Sequence, residues 1–191
     1  MQAKTDLRRE MRARRKAFVA SLPAQVRALI LNRPPAAIAD FLRGRCTIGL
    51  YHPVGSEAPA LGWARWLHEN GWQIALPRFA APAAPMRFHL WANPWDAEAL
   101  EPGLSGIPQP GADAPAVIPD ALIVPLLAFT ADGRRLGQGA GHYDRWLADH
   151  GPVPAIGLAW DIQLVDDLPT EPHDQRLAAI VTPTRIFWSE A

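Results

Sequence analysis

Three glycines at alternate positions, Gly137, Gly139 and Gly141, mark the stretch of this sequence best suited to binding an anion. Without side chains, successive backbone N–H groups can turn inwards and approach an anion closely. Arg134 and Arg135 precede the glycines, and a Tyr-Asp-Arg sequence follows them. A flexible connector is the alternative, and glycine spacing alone would favour it. The flanking charges favour a loop that wraps a phosphate chain.

The spacing of these glycines excludes the two commonest nucleotide-binding loops. A dinucleotide fingerprint reads G-x-G-x-x-G, whereas this loop reads G-x-G-x-G,. A Walker A loop ends in Lys followed by Ser or Thr, and no such pair follows here,. The loop does lie between an apolar strand and a helix, which is where open α/β sheets bind ligands. The sequence therefore predicts a phosphate site of another kind and excludes an NAD-linked dehydrogenase.

Two aspartates are candidates for a magnesium site beside the phosphates. Asp144 lies where the helix after the glycines begins, and Asp174 lies shortly before the last predicted strand. Carboxylate oxygens are hard donors of the kind that Mg²⁺ prefers. The alternatives are a carboxylate that stabilises a helix N-terminus, for Asp144, and an ordinary loop residue, for Asp174.

A cationic face is predicted on the N-terminal helix, residues 4–20. Lys4, Arg8, Arg12 and Arg15 recur at three- and four-residue spacing, which places them on one side of that helix,. In one interpretation the helix lies over a nucleotide, with Lys4 and Arg8 on its phosphate oxygens. In the other, this side is a solvated face, which is the usual outcome for a run of charges. Nothing within the segment decides between them.

Glu57 and three histidines complete the polar residues considered for chemistry. Glu57 follows the first predicted strand, where it could accept N–H donors from a substrate ring or begin the next helix. His52, His142 and His173 lack the spacing of metal ligands,. We interpret His52 and His173 as loop residues, whereas His142 lies inside the glycine loop.

The elements that must position these residues alternate between strand and helix. Apolar runs bounded by turn signals predict strands at 46–51, 72–77, 86–91, 120–129, 153–160 and 178–182, with 86–91 as an edge strand,. Helices are predicted at 4–20, at 24–42 with a break at Pro34-Pro35, at 57–71 with a Gly71 cap, and at 143–151,. The Pro- and Gly-rich segment 92–119 is expected to hold little regular structure. This alternation predicts a single domain over residues 1–191, an α/β three-layer sandwich with a central, largely parallel sheet flanked by helices.

Composition excludes several classes of function. The 19 Lys and Arg residues balance 19 Asp and Glu residues, and a net charge of zero argues against a general nucleic-acid binder,. No apolar run approaches the length of a membrane helix, and the charged N-terminal segment does not resemble a secretory signal. Cys46 is the single cysteine, so no internal disulfide can form and a cytoplasmic location is expected,. We expect a monomer that acts on small molecules, without nucleic-acid or membrane partners.

Taken together, these segments resemble the 5-formyltetrahydrofolate cyclo-ligase (5,10-methenyltetrahydrofolate synthetase) family over nearly the whole chain. Residues 120–148, DALIVPLLAFTADGRRLGQGAGHYDRWLA, are similar to a long and specific signature of that family. Residues 4–18 (KTDLRREMRARRKAF) resemble its N-terminal helix, and residues 51–57 (YHPVGSE) resemble its first strand and substrate glutamate. Residues 157–184 are similar to its C-terminal segment.

The resemblance implies an ATP- and Mg²⁺-dependent cyclisation of 5-formyltetrahydrofolate to 5,10-methenyltetrahydrofolate, with release of ADP and phosphate. Transfer of the γ-phosphoryl group would activate the formyl oxygen, and N10 of the folate would then attack the formyl carbon. The implied ATP contacts are Lys4, Arg8, Arg135, Leu136, Gly137, Gln138, Gly139, Ala140, Gly141 and Tyr143. The implied folate contacts are Glu57, Gln138, Gly139, Ala140, Gly141 and His142, with Trp95 or Trp160 over the ring. The implied metal ligands are Asp144 and Asp174, and the residues implied at the reacting groups are Arg145 and His142.

The sequence departs from the family's pattern at positions that bear on the folate more than on ATP. His142 stands where Tyr or Phe is usual, near the formyl group, and Gln109 stands where Glu is usual. The segment around Glu57 also differs from the family's usual G-E-[VI]-[DN]-T. A relative with the same ATP site and another carboxamide-like substrate therefore stays open. An RNA-binding module that uses the arginine-rich helix is a third possibility, which the neutral total charge disfavours.

Overall fold

An eight-stranded mixed sheet forms the centre of the computed structural model of this protein, which describes residues 2–169, 171 and 174–189. His173, predicted to lie in a loop, falls outside the described residues. The strands are β1 (Thr47–Gly49), β2 (Gln73–Arg78), β3 (Arg87–Leu90), β4 (Leu100–Pro102), β5 (Pro108–Pro110), β6 (Ala116–Val117), β7 (Ala121–Pro125), β8 (Ala128–Phe129), β9 (Arg135–Leu136), β10 (Ala155–Leu158), β11 (Ala179–Val181) and β12 (Ile186–Trp188). The α-helices are α1 (Gln2–Ser21), α2 (Ala24–Leu29), α3 (Ala36–Leu42), α4 (Leu61–Glu69) and α5 (His142–His150).

The strand order, β12-β11-β10-β7-β1-β2-β3-β6, confirms a largely parallel sheet. β11, β10, β7, β1 and β2 run parallel to one another, and the antiparallel pairings lie towards the two edges. The pairs β4–β5 and β8–β9 form separate two-stranded ladders.

Both faces of the sheet are covered, which confirms the three-layer prediction. Ile123 and its equivalents on neighbouring strands pack with Ile38 of α3 and Trp63 of α4. The intervening side chains, such as Leu122, pack on the other face with Trp146 of α5. Buried parallel strands are apolar on both sides, which is why their sequences are continuous rather than alternating.

The strand order reverses between β1 and β7, and this point positions the functional site. From β1 the chain passes through α4 to β2 on one side, whereas β7 lies on the other side and leads through α5 to β10. The carboxyl ends of β1 and β7 therefore diverge into two loop segments with a crevice between them, residues 50–60 and residues 126–141, the second of which includes the β8–β9 hairpin. Open α/β sheets bind ligands at such a crevice.

Several predicted boundaries were wrong. The segment 86–91 is not an edge strand, because β6 pairs with the outer side of β3. The run 120–129 divides into β7 and β8, and β8 leaves the main sheet to pair with β9. The helix predicted from residue 57 begins at Leu61. The segment 92–119, expected to hold little regular structure, contains three short strands and a 3-10 turn.

None of the helices in the described part of the chain is long and apolar enough to cross a membrane.

Candidate functional site

A cavity of about 830 Å³ lies where the two loops diverge. The loop after β1 contributes Tyr51 and Glu57, and the glycine loop contributes Gly137 and Gln138. Further walls come from α1, from the end of β2, from the hairpin formed by β4 and β5, and from the start of α5. The cavity thus brings the predicted phosphate loop and the predicted substrate glutamate to one place.

The glycine loop connects β9 to α5 through backbone conformations that favour glycine. Gly139 has a φ of +112° and Gly141 has a φ of +64°. Around Gly137 there is open space, since a Cβ built on it would meet nothing within 4 Å. A Cβ on Gly139 would lie 3.5 Å from Nε of Arg8. The loop therefore exposes its backbone beside the guanidinium group of Arg8.

Two cations of α1 are held by protein groups: Arg8 contacts this loop, and Lys4 contacts Asp174. Lys4 Nζ lies 2.8 Å from Asp174 Oδ2, and the Lys4 side chain is only 10% exposed. Arg8 Nε donates to the carbonyl oxygen of Gly137 at 3.1 Å. A solvated face is therefore the wrong interpretation of these two cations.

The next two cations of the same face complete the docking of α1. Arg12 Nη2 donates to Gln138 Oε1 at 3.1 Å. Arg15 is buried, donating from Nε to Ser56 Oγ at 3.1 Å and from Nη1 to the carbonyl oxygen of Leu126 at 3.1 Å. Ser56 follows β1 and Leu126 follows β7, so Arg15 joins the two loops at the reversal point. Burial lowers the pKa of Arg15, and the nearby charge of Glu57 opposes that shift,.

Arg135 and Asp144 form an ion pair inside the site. Arg135 Nη2 donates to Asp144 Oδ1 at 2.5 Å, and Nη1 donates to the carbonyl oxygen of Gln175 at 2.8 Å. Burial lowers the pKa of the guanidinium, whereas Asp144 and Asp174 both raise it. The two aspartates predicted to bind a metal therefore both lie close enough to act on Arg135.

Asp144 and Asp174 could bind a magnesium ion whose other ligands are phosphate oxygens and water. Among the described residues there is no group of three or more His, Cys, Asp or Glu side chains that could hold a metal by itself. Mg²⁺ commonly uses one or two carboxylates together with phosphate oxygens and water. Asp144 and Asp174 fit that pattern, with Arg135 and Lys4 as their present partners.

Glu57 faces the glycine loop across the cavity. Its Oε1 accepts from Gln138 Nε2 at 3.0 Å, and its Oε2 accepts from the backbone N–H of Val54 at 2.9 Å. The second bond closes a turn in the loop after β1, which fixes the carboxylate.

Burial raises the pKa of Tyr143, with a further contribution from Glu57 and an opposing one from Arg135. Tyr143 is accordingly a neutral phenol between these two charges.

His142 lies at the start of α5 between an aromatic ring and a cation. Its ring packs edge-on against Phe79, with centroids 4.7 Å apart, and Arg145 Nη2 lies 3.1 Å from its Nδ1. Burial lowers the pKa of His142, and the charge of Arg145 lowers it further. The neutral imidazole can therefore accept a hydrogen bond from Arg145 at Nδ1.

Some predicted site residues lie away from the cavity wall. Lys4, Arg8 and Asp174 contact one another or the glycine loop but do not line the cavity, and neither does the exposed Arg145. Leu136 and Gly139 are likewise absent from the lining, whereas Ala140 and Gly141 belong to it.

The expectation that Trp95 or Trp160 covers the ring was wrong. Trp95 is exposed and contacts Glu69 and Arg65 on α4. Trp160 is buried in the core, where its Nε1 donates to the carbonyl oxygen of Ser56.

The apolar wall instead comes from residues that sequence reasoning missed, Phe79, Met86 and Ile107. No spacing rule points to these side chains, because they come from three separate segments that only the fold brings together.

Comparison with known proteins assigns the chain to a family. The profile of the 5-formyltetrahydrofolate cyclo-ligase family matches residues 1–183. The chain belongs to this family.

Relatives named 5-formyltetrahydrofolate cyclo-ligase occur in several bacteria. The protein of Mycolicibacterium smegmatis is 37% identical over 145 residues, which cover 73% of this chain and 74% of that protein. The protein of Escherichia coli is 44% identical over 87 residues, which cover 42% of this chain and 48% of that protein.

Two solved structures share the fold. The structure of Aquifex aeolicus 5,10-methenyltetrahydrofolate synthetase has a TM-score of 0.75 and 22% identity, covering 98% of this chain and 93% of that one. The structure of a Mycoplasma pneumoniae 5,10-methenyltetrahydrofolate synthetase has a TM-score of 0.66 and 23% identity, covering 93% of this chain and 96% of that one.

Proposed function

We propose that this protein catalyses the ATP- and Mg²⁺-dependent cyclisation of 5-formyltetrahydrofolate to 5,10-methenyltetrahydrofolate, releasing ADP and phosphate. Family membership supports the cyclo-ligase reaction and implies ATP as co-substrate. The observation that carries the proposal is the cavity of about 830 Å³ at the strand reversal. It extends from an arginine-flanked glycine loop to a fixed carboxylate and an apolar wall, which suits a polyphosphate beside a flat heterocycle.

The phosphate half of the site would be built on the glycine loop. Backbone amides from Arg135 to Tyr143 would enclose the triphosphate, with Lys4 and Arg8 on its oxygens. The bond from Arg8 to the carbonyl of Gly137 supports this role, because it holds a guanidinium at the loop. Positive charge here would neutralise the phosphates.

Magnesium would be held by Asp144 and Asp174, directly or through water. Bound there, it would withdraw charge from the phosphate oxygens. Lys4 and Arg135 would exchange their carboxylate partners for phosphate oxygens when the nucleotide binds.

The folate half would lie towards Glu57. Its fixed carboxylate would accept N–H groups of the pterin, and Phe79 with Met86 would pack on the ring. Gln138 would border both ligands, since its amide already bridges Glu57 and Arg12. Backbone of the loop from Gln138 to His142 would lie along the boundary between the two substrates.

The chemistry follows from the poor leaving ability of an amide oxygen. The γ-phosphoryl group is transferred to the formyl oxygen, the bond to ADP breaks, and N10 of the folate then attacks the activated carbon and loses its proton to water or to the departing phosphate. The C–O bond breaks and phosphate departs with that oxygen. The protein would contribute positioning and charge neutralisation. Arg145 would stabilise the developing phosphate charge while it contacts His142, and the neutral imidazole would hold the formyl group.

Absorbance spectroscopy tests the proposal directly. The methenyl product absorbs in the near ultraviolet, so the protein mixed with 5-formyltetrahydrofolate and MgATP should give a rising signal. The signal should require both substrates and should disappear when Mg²⁺ is chelated. Absence of product with both substrates present would refute the proposed reaction.

A second candidate is a cyclo-ligase relative with another carboxamide-like substrate. The histidine at position 142 and the altered segment around Glu57 favour it. It predicts ADP release with a different formamide or carboxamide and none with 5-formyltetrahydrofolate. Measuring ADP release alongside the methenyl absorbance separates the two candidates.

A further inference from the structure

Two side chains from distant segments meet at one aromatic residue. Gln109 belongs to β5, and His142 is the first residue of α5. They lie 33 positions apart in sequence, yet both contact Phe79, which lines the cavity just after β2.

Gln109 holds the backbone of Phe79 from both sides. Its Oε1 accepts from the Phe79 N–H at 3.1 Å, and its Nε2 donates to the Phe79 carbonyl oxygen at 3.4 Å. The side chain is buried, with the residue 5% exposed. Only an amide can accept and donate in this way, because an ionised carboxylate has no N–H or O–H to donate.

A carboxylate at position 109 would be repelled by a neighbouring carboxylate. Gln109 Nε2 lies 3.4 Å from Glu101 Oε1, and Glu101 is the ion-pair partner of Arg78. A glutamate at position 109 would therefore place two carboxylates side by side. Here Glu101 supplies the negative charge for Arg78, which leaves position 109 available for an amide.

The held backbone fixes the point from which the Phe79 side chain extends into the cavity wall. That ring packs edge-on against His142, with a centroid distance of 4.7 Å and an interplanar angle of 62°. Arg145 contacts His142 from the other side. The imidazole is thus fixed between a ring that Gln109 positions and a guanidinium of its own helix.

We propose that Gln109 is a positioning residue for the folate half of the cavity: its amide holds Phe79, and the Phe79 ring holds the imidazole of His142. Gln109 acts through Phe79. The inference rests on the proposed function, since it assigns His142 to the formyl group.

Steady-state kinetics of Gln109→Ala and Gln109→Glu test the inference. The KM for 5-formyltetrahydrofolate should rise by between about 5- and 100-fold, as expected for lost buried hydrogen bonds and a displaced contact. The KM for ATP should stay within about twofold, because the glycine loop is untouched. Gln25→Ala, an exposed glutamine on α2, is the matched control and should match the unchanged protein.

Two double variants separate positioning from a structural role. Repulsion between the two carboxylates should lower the melting temperature of Gln109→Glu. Adding Glu101→Gln removes that repulsion, so the melting temperature should recover while the KM for 5-formyltetrahydrofolate stays high. In a Phe79→Leu background, Gln109→Ala should cause no further rise in the folate KM.

Each outcome has a distinct meaning. Recovery of the folate KM in the charge-exchanged double variant, or additive effects in the Phe79→Leu background, would overturn the inference. Equal rises in both KM values would also overturn it. No product from the unchanged protein would refute the proposed function and this inference with it, whereas normal turnover with an unaltered folate KM in both Gln109 variants would refute this inference alone.

Discussion

Arg8 and Arg9 are neighbours in sequence, but only Arg8 contacts the glycine loop. Arg8 bonds to the carbonyl of Gly137, whereas the Arg9 side chain is 79% exposed and pairs with Asp6 on the same helix. Adjacent residues of a helix point about 100° apart, so the two arginines face different directions. Arg9 is therefore a matched control for substitution of Arg8.

Arg8→Ala should raise the KM for ATP roughly tenfold, as expected when a charged hydrogen bond to a ligand is lost. Arg9→Ala should leave that KM unchanged. Steady-state kinetics with ATP as the varied substrate measures both. Equal effects of the two substitutions would show that α1 contributes only general positive charge.

Gly139→Ala should raise the KM for ATP, whereas its loss of stability should match that of a control glycine outside the site. A φ of +112° is unfavourable for alanine, so the loop would have to change its backbone conformation beside the Arg8 guanidinium, which the new Cβ would contact at 3.5 Å,. Gly44→Ala is the control, since Gly44 also has a positive φ of +79° but lies in an open turn away from the site. Both variants should lose about 1–3 kcal/mol of stability. Only Gly139→Ala should raise the KM for ATP, and an unchanged KM would contradict the loop assignment.

His142 should make stability depend on pH on the acid side. Burial and Arg145 lower its pKa in the folded protein, so the unfolded chain takes up its proton more readily,. The free energy of unfolding should therefore fall as pH drops below about 6.5, the ordinary pKa of histidine. In His142→Phe this component is absent, and urea titrations between pH 7.5 and 5 should show a weaker decline. A steeper decline in the variant than in the unchanged protein would contradict a lowered pKa of His142.

At the residue scale, charged and glycine positions were predictable and aromatic ones were not. The common face of the four cations on α1 follows from their helical spacing, and the open backbone of the loop follows from its glycines. Phe79 and Gln109 carry no local signal, because their importance comes from a contact between distant segments. Trp95 was misassigned because its type suits ring stacking, whereas its position on the fold does not.

At the element scale, α1 is attached to the sheet by a buried arginine. Arg15 is 4% exposed and bonds to both loops at the strand reversal, whereas Arg14 next to it is exposed. Arg15→Ala should lower the free energy of unfolding by about 2–4 kcal/mol, since the hydrogen bonds from a buried guanidinium to Ser56 Oγ and to the Leu126 carbonyl oxygen are both lost,. Arg14→Ala should change it by less than about 0.5 kcal/mol. Chemical denaturation measures both, and a neutral Arg15→Ala would mean that α1 docks without this contact.

Most elements were predictable in type, but their ends were not. The proline pair at 34–35 correctly separated α2 from α3, because proline cannot continue a helix from within,. The apolar run 120–129 gave no sign of its division, since β7 and β8 are equally buried. Pairing partners decide where a strand ends, and β8 pairs with β9 rather than with the sheet.

At the scale of the whole molecule, the layer architecture followed from the alternation of strands and helices. The meeting of the glycine loop and Glu57 at one cavity followed as well, because both lie in segments that leave the carboxyl ends of the adjacent strands β1 and β7. The strand order did not follow, since β3, β6 and β12 are placed by antiparallel pairings that local sequence does not encode. The single-domain, monomeric and cytoplasmic expectations stay predictions.

Nucleotide binding should stabilise the whole fold. MgATP at about 100 times its dissociation constant should add about 2.7 kcal/mol to the free energy of unfolding. A thermal-shift titration should show a rise in melting temperature that Gly139→Ala reduces. The same shift in both proteins would place the nucleotide elsewhere.

The central claim is that the glycine loop delivers a phosphoryl group to the formyl oxygen, and isotope tracing tests it most directly. The protein is incubated with MgATP and 5-formyltetrahydrofolate carrying ¹⁸O in its formyl group, and the released phosphate is analysed by mass spectrometry. The account predicts one ¹⁸O atom in each phosphate, because that oxygen leaves bonded to phosphorus. Unlabelled phosphate, formed while methenyltetrahydrofolate accumulates, would contradict it.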